Sequence, residues 1–130
     1  MLERSQSGQD LDKFGGEIIR GISQSYGSPI DVTKYTASEN TYSLEVEGFD
    51  ALVLTINHNE IIIRNIEATN PGRGEGRRMI EGLIEVAKDT GVELIAEDVG
   101  AGKDQDSRSF WSALGFVPKN EDSADYVYDK

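Results

Sequence analysis

Gly72, Gly74 and Gly76 stand at alternate positions in the segment NPGRGEGRRMIEGLIEVAKDTGV, residues 70–92, with Arg73, Arg77 and Arg78 set among them. Glycines so placed let backbone N–H groups approach an oxyanion without a Cβ in the way. The run that follows carries Met79, Ile80, Leu83, Val86 and Ala87 at helical spacing. The first N–H groups of such a helix have no intrahelical acceptor, and its dipole favours negative charge there. The arginines can add charge-assisted hydrogen bonds. A phosphate or pyrophosphate is the guest this chemistry suits.

Two familiar phosphate loops do not match. A P-loop places Lys-Ser or Lys-Thr after its last glycine, and here Gly76 is followed by Arg77-Arg78. A dinucleotide fold needs G-x-G-x-x-G after the first strand of a parallel unit. Here the spacing is Gly-x-Gly-x-Gly and a strand meander comes first.

The elements that must position the loop can be read from periodicity. Leu11, Phe14, Ile18, Ile19, Ile22 and Tyr26 predict an amphipathic helix over 10–26, although Gly15 and Gly16 weaken it. DVTKYT, TYSLEVE, ALVLTINH and EIIIRNIEA read as successive strands with turn residues between them. In the second, Tyr42, Leu44 and Val46 share a face; the third is apolar on both faces, as an inner strand is. After the glycine segment come its helix with Gly91 at the C-cap, a strand VELIAEDV, a short helix DQDSRSFWSAL and a final strand pair with an acidic turn. The order predicts one α/β (α+β) domain with a mixed sheet, spanning 1–130 with residues 1–9 expected to be flexible.

Composition narrows the function. With 130 residues, 37% apolar and 28% charged, the chain reads as an ordinary globular domain. It has no cysteine and one histidine, His58, so thiolate chemistry is excluded and a metal site is not expected. The net charge of −11 argues against nucleic acid, whose phosphates need clustered Lys and Arg. It serves solubility and also suits a cationic partner. No run approaches the ~20 apolar residues of a membrane span, and the polar N-terminal residues lack a signal-type stretch. A cytoplasmic protein without membrane partners is expected.

The glycine segment resembles the acyl-CoA-binding motif of the GNAT superfamily, the Gcn5-related N-acetyltransferases. That motif is Gln/Arg-x-x-Gly-x-Gly/Ala followed by an amphipathic helix, and Gly72, Gly74 and Gly76 match its glycines. FWSALGF, residues 110–116, resembles a second signature of the family, fYeklGF, at the usual distance. The resemblance runs from about residue 31 to the end. It implies a mixed, mostly antiparallel twisted sheet flanked by helices, with acetyl-CoA as cosubstrate and an amine as acceptor. Gly72, Arg73, Gly74, Gly76, Arg77 and Arg78 would hold the pyrophosphate. Backbone around Ile66 to Ala68 would supply the donor for the developing oxyanion, and Asp104 stands where an Asn often touches the pantetheine arm. By count from the glycines, Glu60 falls where the histone-acetylating branch carries its catalytic glutamate. Glu67, nearer the loop, would act through a water.

The acceptor is expected to be a small cationic amine or a protein lysine, and the resemblance leaves room for a homodimer. The chain departs from the pattern at three places: Pro71 replaces Gln or Arg, Glu75 an apolar residue, and Trp111 the tyrosine that serves as general acid. Indole N–H is a donor and does not protonate a thiolate. Trp111 and Phe110 are expected to be packing residues, His58 to be structural, and Tyr126 and Tyr128 to divide between core and surface. The alternative is a catalytically inactive GNAT-like acidic binding or assembly module. A mimic of nucleic acid rests on net charge alone.

Overall fold

The computed structural model describes residues 13–34, 40–70, 72–97, 107–120 and 125–129. Ten elements succeed one another: α1 (Lys13–Tyr26), β1 (Ile30–Lys34), β2 (Thr41–Val46), β3 (Phe49–Ile56), β4 (Glu60–Ala68), α2 (Glu75–Thr90), β5 (Glu93–Ala96), α3 (Ser107–Ala113), β6 (Phe116–Pro118) and β7 (Tyr126–Tyr128). The strands form one seven-stranded sheet in the order β1-β2-β3-β4-β5-β7-β6. Every pairing is antiparallel except β4 with β5. The predicted mixed sheet is therefore present, and β4 falls on the predicted bounds. The starts of the first helix and the end of the first strand, including Leu11, lie outside the described residues.

Alternation builds the core. Tyr42, Leu44 and Val46 of β2, Leu52, Leu54 and Ile56 of β3, and Ile61 and Ile63 of β4 are all buried in one cluster. Ile18, Ile19, Ile22 and Tyr26 of α1, with Met79, Ile80, Leu83, Val86 and Ala87 of α2, join it. Burying each of the larger side chains contributes about 1.5–3 kcal/mol. This tertiary burial overrides the weak local propensity of Gly15 and Gly16. A Cβ on Gly21 would stand 3.0 Å from Val86 Cγ2, and one on Gly82 3.1 Å from Ser25 Cβ. The two helices thus press together at small residues. As expected, Gly91 caps α2, donating its N–H to Ala87 O at 2.8 Å.

The C-terminal elements are held by aromatic edges. Trp111 is buried and meets Phe116 at 5.0 Å and Phe110 at 5.3 Å between ring centroids, both edge-on. Phe116 meets Tyr128 at 5.5 Å. Trp111 is a packing residue, as expected. The expectation for the last strand needs correction. Tyr126 is core and Tyr128 packs against that same core, because residues two apart on a strand share a face.

Gly21→Leu should lower stability by about 1–3 kcal/mol through overpacking against Val86. Thermal unfolding monitored by circular dichroism checks this, and an unchanged Tm would contradict the close helix approach.

Candidate functional site

The site begins where a strand pairing stops. β4 has nine residues and β5 has four. They pair from Glu60↔Glu93 to Ile63↔Ala96, and a last rung runs from the Glu97 N–H to Ile63 O at 3.1 Å. The register of β3 with β4 shifts between Val53↔Asn65 and Leu54↔Ile63, so Arg64 is an extra residue in a bulge. A bulge bends its strand and increases the twist. Among the described residues, β4 beyond this point keeps its β3 partner, while no β5 residue pairs with 65–68. Among the described residues the pairing therefore closes at Ile63 and Glu97, the apex of a V whose described arm is β4 and whose mouth is at Ala68.

The glycine loop leaves from that mouth. Gly72 and Gly74 have φ of 91° and 88°, a left-handed conformation that only glycine adopts freely. Gly74 is the N-cap of α2 and has no side-chain cap. The Arg78 N–H bonds Gly74 O at 3.0 Å, so the N–H groups of Glu75, Gly76 and Arg77 precede the first helical bond. A Cβ placed on Gly72, Gly74 or Gly76 would meet nothing within 4 Å. The segment is an open cradle of backbone donors, and a phosphate group fits it.

Both ends of this cradle are anchored to the β2–β3 turn. On one side the Thr69 N–H donates to Gly48 O at 2.9 Å, and the Thr69 hydroxyl donates to Asp50 Oδ1 at 2.9 Å. On the other, the Tyr26 hydroxyl donates to Glu47 O at 2.9 Å, and the Arg78 guanidinium lies 4.5 Å over the Tyr26 ring. Burial pushes the Tyr26 phenol pKa up; Arg78 opposes that shift, and Glu75 adds to it. Gly48 has φ 98°, and a Cβ there would stand 2.7 Å from Tyr26 Oη and 3.1 Å from Glu75 Oε2. Glu75 therefore turns inward, beneath the first turn of α2. Its Oε1 is buried without a hydrogen-bond partner among the described residues. Where the resembled motif carries an apolar residue, a carboxylate here turns toward Gly48.

The structure sorts the expected site residues. Gly72, Gly74 and Gly76 come together at the mouth, with Ile66, Glu67 and Ala68 on the open stretch of β4. Glu67 is exposed there. Of the three arginines, Arg78 is committed to Tyr26, and Arg77 pairs with Glu81 at 3.2 Å on the helix surface. An exposed pair of that kind contributes only about 0.3–0.5 kcal/mol, so Arg77 is easily released. Arg73 is exposed and pairs with no carboxylate among the described residues. Glu60 opens β4, where its N–H bonds Asn57 Oδ1 at 3.0 Å. At about 3.3 Å per residue that is roughly 26 Å from Ala68, so the structure does not bring it to the loop. Asp104 and Pro71 lie outside the described residues. His58 stacks on Phe14 with ring centroids 4.7 Å apart, in the β3–β4 turn.

Sequence reasoning missed one constellation. Arg64 Nη1 donates to Glu97 Oε2 at 2.7 Å, and Arg64 Nε to Thr55 Oγ1 at 2.9 Å. Thr55 Oγ1 in turn lies 2.7 Å from Thr41 Oγ1. The chain crosses β2, β3, β4 and the end of β5 at the apex of the V. Its only local signal was polar residues within otherwise apolar strands. On the β1–β2–β3 part of the sheet, Asp31 faces Glu45 directly. A shallow groove of ≈ 660 Å³ there is lined by Asp31, Glu45, Glu47 and Asp50 among others. Among the described residues no acid or histidine group has metal-holding geometry, and no helix is long and apolar enough to cross a membrane.

The chain matches no protein-family model and no curated protein. Its fold is similar to that of solved structures. The anti-CRISPR protein AcrVA5 superposes with a TM-score of 0.57 at 19% identity, over 69% of this chain and 99% of that one. A GNAT family acetyltransferase from Elizabethkingia anophelis, solved with acetyl-CoA bound, gives a TM-score of 0.45 at 16% identity, over 90% of this chain and 82% of that one. At 19% identity the likeness to AcrVA5 speaks to the fold alone.

Gly48→Ala should destabilise the protein by at least about 1–2 kcal/mol, the cost of a left-handed non-glycine residue, and should loosen the loop. Amide exchange at Thr69 and Arg78 should quicken more than exchange in β6 and β7. Equal protection in both places would contradict the anchoring.

Proposed function

We propose that this chain has the GNAT fold its motifs resemble, binds acetyl-CoA and transfers its acetyl group to an amine. The observation that carries the reading is the coincidence of an open glycine cradle with the mouth of the V between β4 and β5. Backbone N–H groups from Gly72 to Arg77 would receive the pyrophosphate, with Arg73 and a released Arg77 adding charge. The unpaired side of residues 65–68 would bond the pantetheine arm much as an added strand would. When bound, acetyl-CoA supplies an acyl group activated as a thioester. The amine nitrogen bonds the acyl carbon as the carbon–sulfur bond breaks. Two protons leave the acceptor ammonium: one ends on the departing sulfur and the other passes to solvent. Trp111, packed against Phe116, has no acidic proton for the departing thiolate, so solvent relays the ammonium's proton to sulfur.

The finer reading is that the acceptor is cationic. It draws support from the net charge of −11.

Calorimetric titration of acetyl-CoA into Gly76→Asp tests the cradle. Gly76 is helical with open space around its Cβ, so the substitution adds charge without strain. Gly74→Glu would be a poorer choice, because φ is 88° there. The wild type should bind in the micromolar range, and the variant at least about tenfold more weakly, a loss of 1.4 kcal/mol, with an unchanged Tm. Equal affinity would remove the cradle from the reading.

A further inference from the structure

We infer that Glu97 is the residue that receives the acceptor's cationic amine, and that Arg64, held by Thr55, is the residue that positions it. The inference rests on the acetyl-transfer reading and goes beyond it by naming the acceptor side of the site. Three observations carry it.

The first is place. An arm entering from the glycine loop runs along residues 65–68 toward the apex, so its acyl end stops where the strands close. The closing rung is the Glu97 N–H to Ile63 O, which puts Glu97 at that end. The second is direction. The cross-strand pairs Thr41↔Thr55 and Thr55↔Ile62 alternate with the core-facing pairs Tyr42↔Leu54 and Leu54↔Ile63. The face that carries Thr41, Thr55 and Arg64 is therefore the one opposite the α1–α2 layer. An acceptor reaching the apex from that face meets the Arg64–Glu97 pair. The third is valence. Arg64 Nη1 holds only Oε2 of Glu97, at 2.7 Å, and the two side chains keep 35% and 30% of their exposure. The other carboxylate oxygen has no partner among the described residues and can accept from an ammonium. Arg64 cannot swing away freely, because its Nε is tied to Thr55, itself buried against Thr41. A carboxylate held by one oxygen is an oriented acceptor, whereas a loose surface glutamate is not.

Spermidine is the probe, with 1,8-octanediol as a neutral control of similar length. The Glu97 side-chain carboxyl resonance, identified by its loss in Glu97→Gln, is followed in carbon-13-labelled protein at constant ionic strength. Spermidine should shift it saturably and the diol should not. Glu97→Gln should weaken spermidine binding about tenfold or more, with Glu45→Gln changing it less than threefold. Arg64→Ala should behave like Glu97→Gln, and Arg64→Lys should restore part of the affinity. All four variants should bind acetyl-CoA as the wild type does, and in turnover the KM for spermidine alone should rise. Spermidine binding without a Glu97 shift, equal losses in Glu97→Gln and Glu45→Gln, or no spermidine binding at all would each overturn the inference. Failure of the wild type to bind acetyl-CoA would instead sink the transferase reading. That result comes from a separate titration and is not confused with the spermidine contact.

Discussion

β4 outruns its parallel neighbour, and the candidate site follows from that mismatch. Backbone N–H and C=O groups must find partners, in the chain, in water or in a ligand. Among the described residues, a four-residue β5 beside a nine-residue β4 leaves one side of residues 65–68 without a strand. The bulge at Arg64 bends β4 at the point of separation, so the gap is a wedge with a closed end. An extended molecule with its own amide groups is the natural filler, because it can bond the open stretch as another strand would. The same wedge fixes polarity: whatever binds anions at the mouth dictates what arrives at the apex.

The mouth is held from below. The loop carries no packing of its own around Gly72, Gly74 and Gly76, so its shape depends on Thr69 and Arg78 at its two ends. Both are tied to the β2–β3 turn, Thr69 through Gly48 and Asp50, and Arg78 through Tyr26 and Glu47. Three elements distant in sequence therefore set one loop, and Gly48 is the residue on which they converge. Electrostatics divides in the same way. In a chain of net charge −11, the mouth is locally basic, and Glu75 turns its carboxylate toward Gly48. The sheet face away from α1 and α2 is acidic. An anion at the mouth and a cation across the sheet can be bound at once.

How much of this was legible depends on range along the chain. EIIIRNIEA declares a strand by its β-branched run, and the α2 face by its spacing to Gly91; both emerge within a residue of where they were read. The glycine turn before α2 is local too, because its glycines lie within five residues. Glu60 opens the strand that EIIIRNIEA declares, so its distance from the glycines follows from the strand's length. Other features were not legible. Arg78 looked like a phosphate ligand because nothing local betrays Tyr26, which arrives from another helix. The error over Tyr126 and Tyr128 was one of parity, since period two joins them on one face. Arg64 and Glu97 are 33 residues apart and meet only because β4 and β5 pair in parallel across the whole of α2. The bulge that frees Arg64 leaves no mark in composition.

The central claim is that one ligand occupies the cradle and the wedge together. Amide hydrogen exchange with and without saturating acetyl-CoA measures this most directly. The account predicts slowed exchange in two segments at once, Gly72 to Arg77 and Asn65 to Ala68, with β1 and β6 unaffected. Protection at the glycines alone would describe a phosphate site without the wedge. Protection in neither segment, at cofactor concentrations in the millimolar range, would contradict the account.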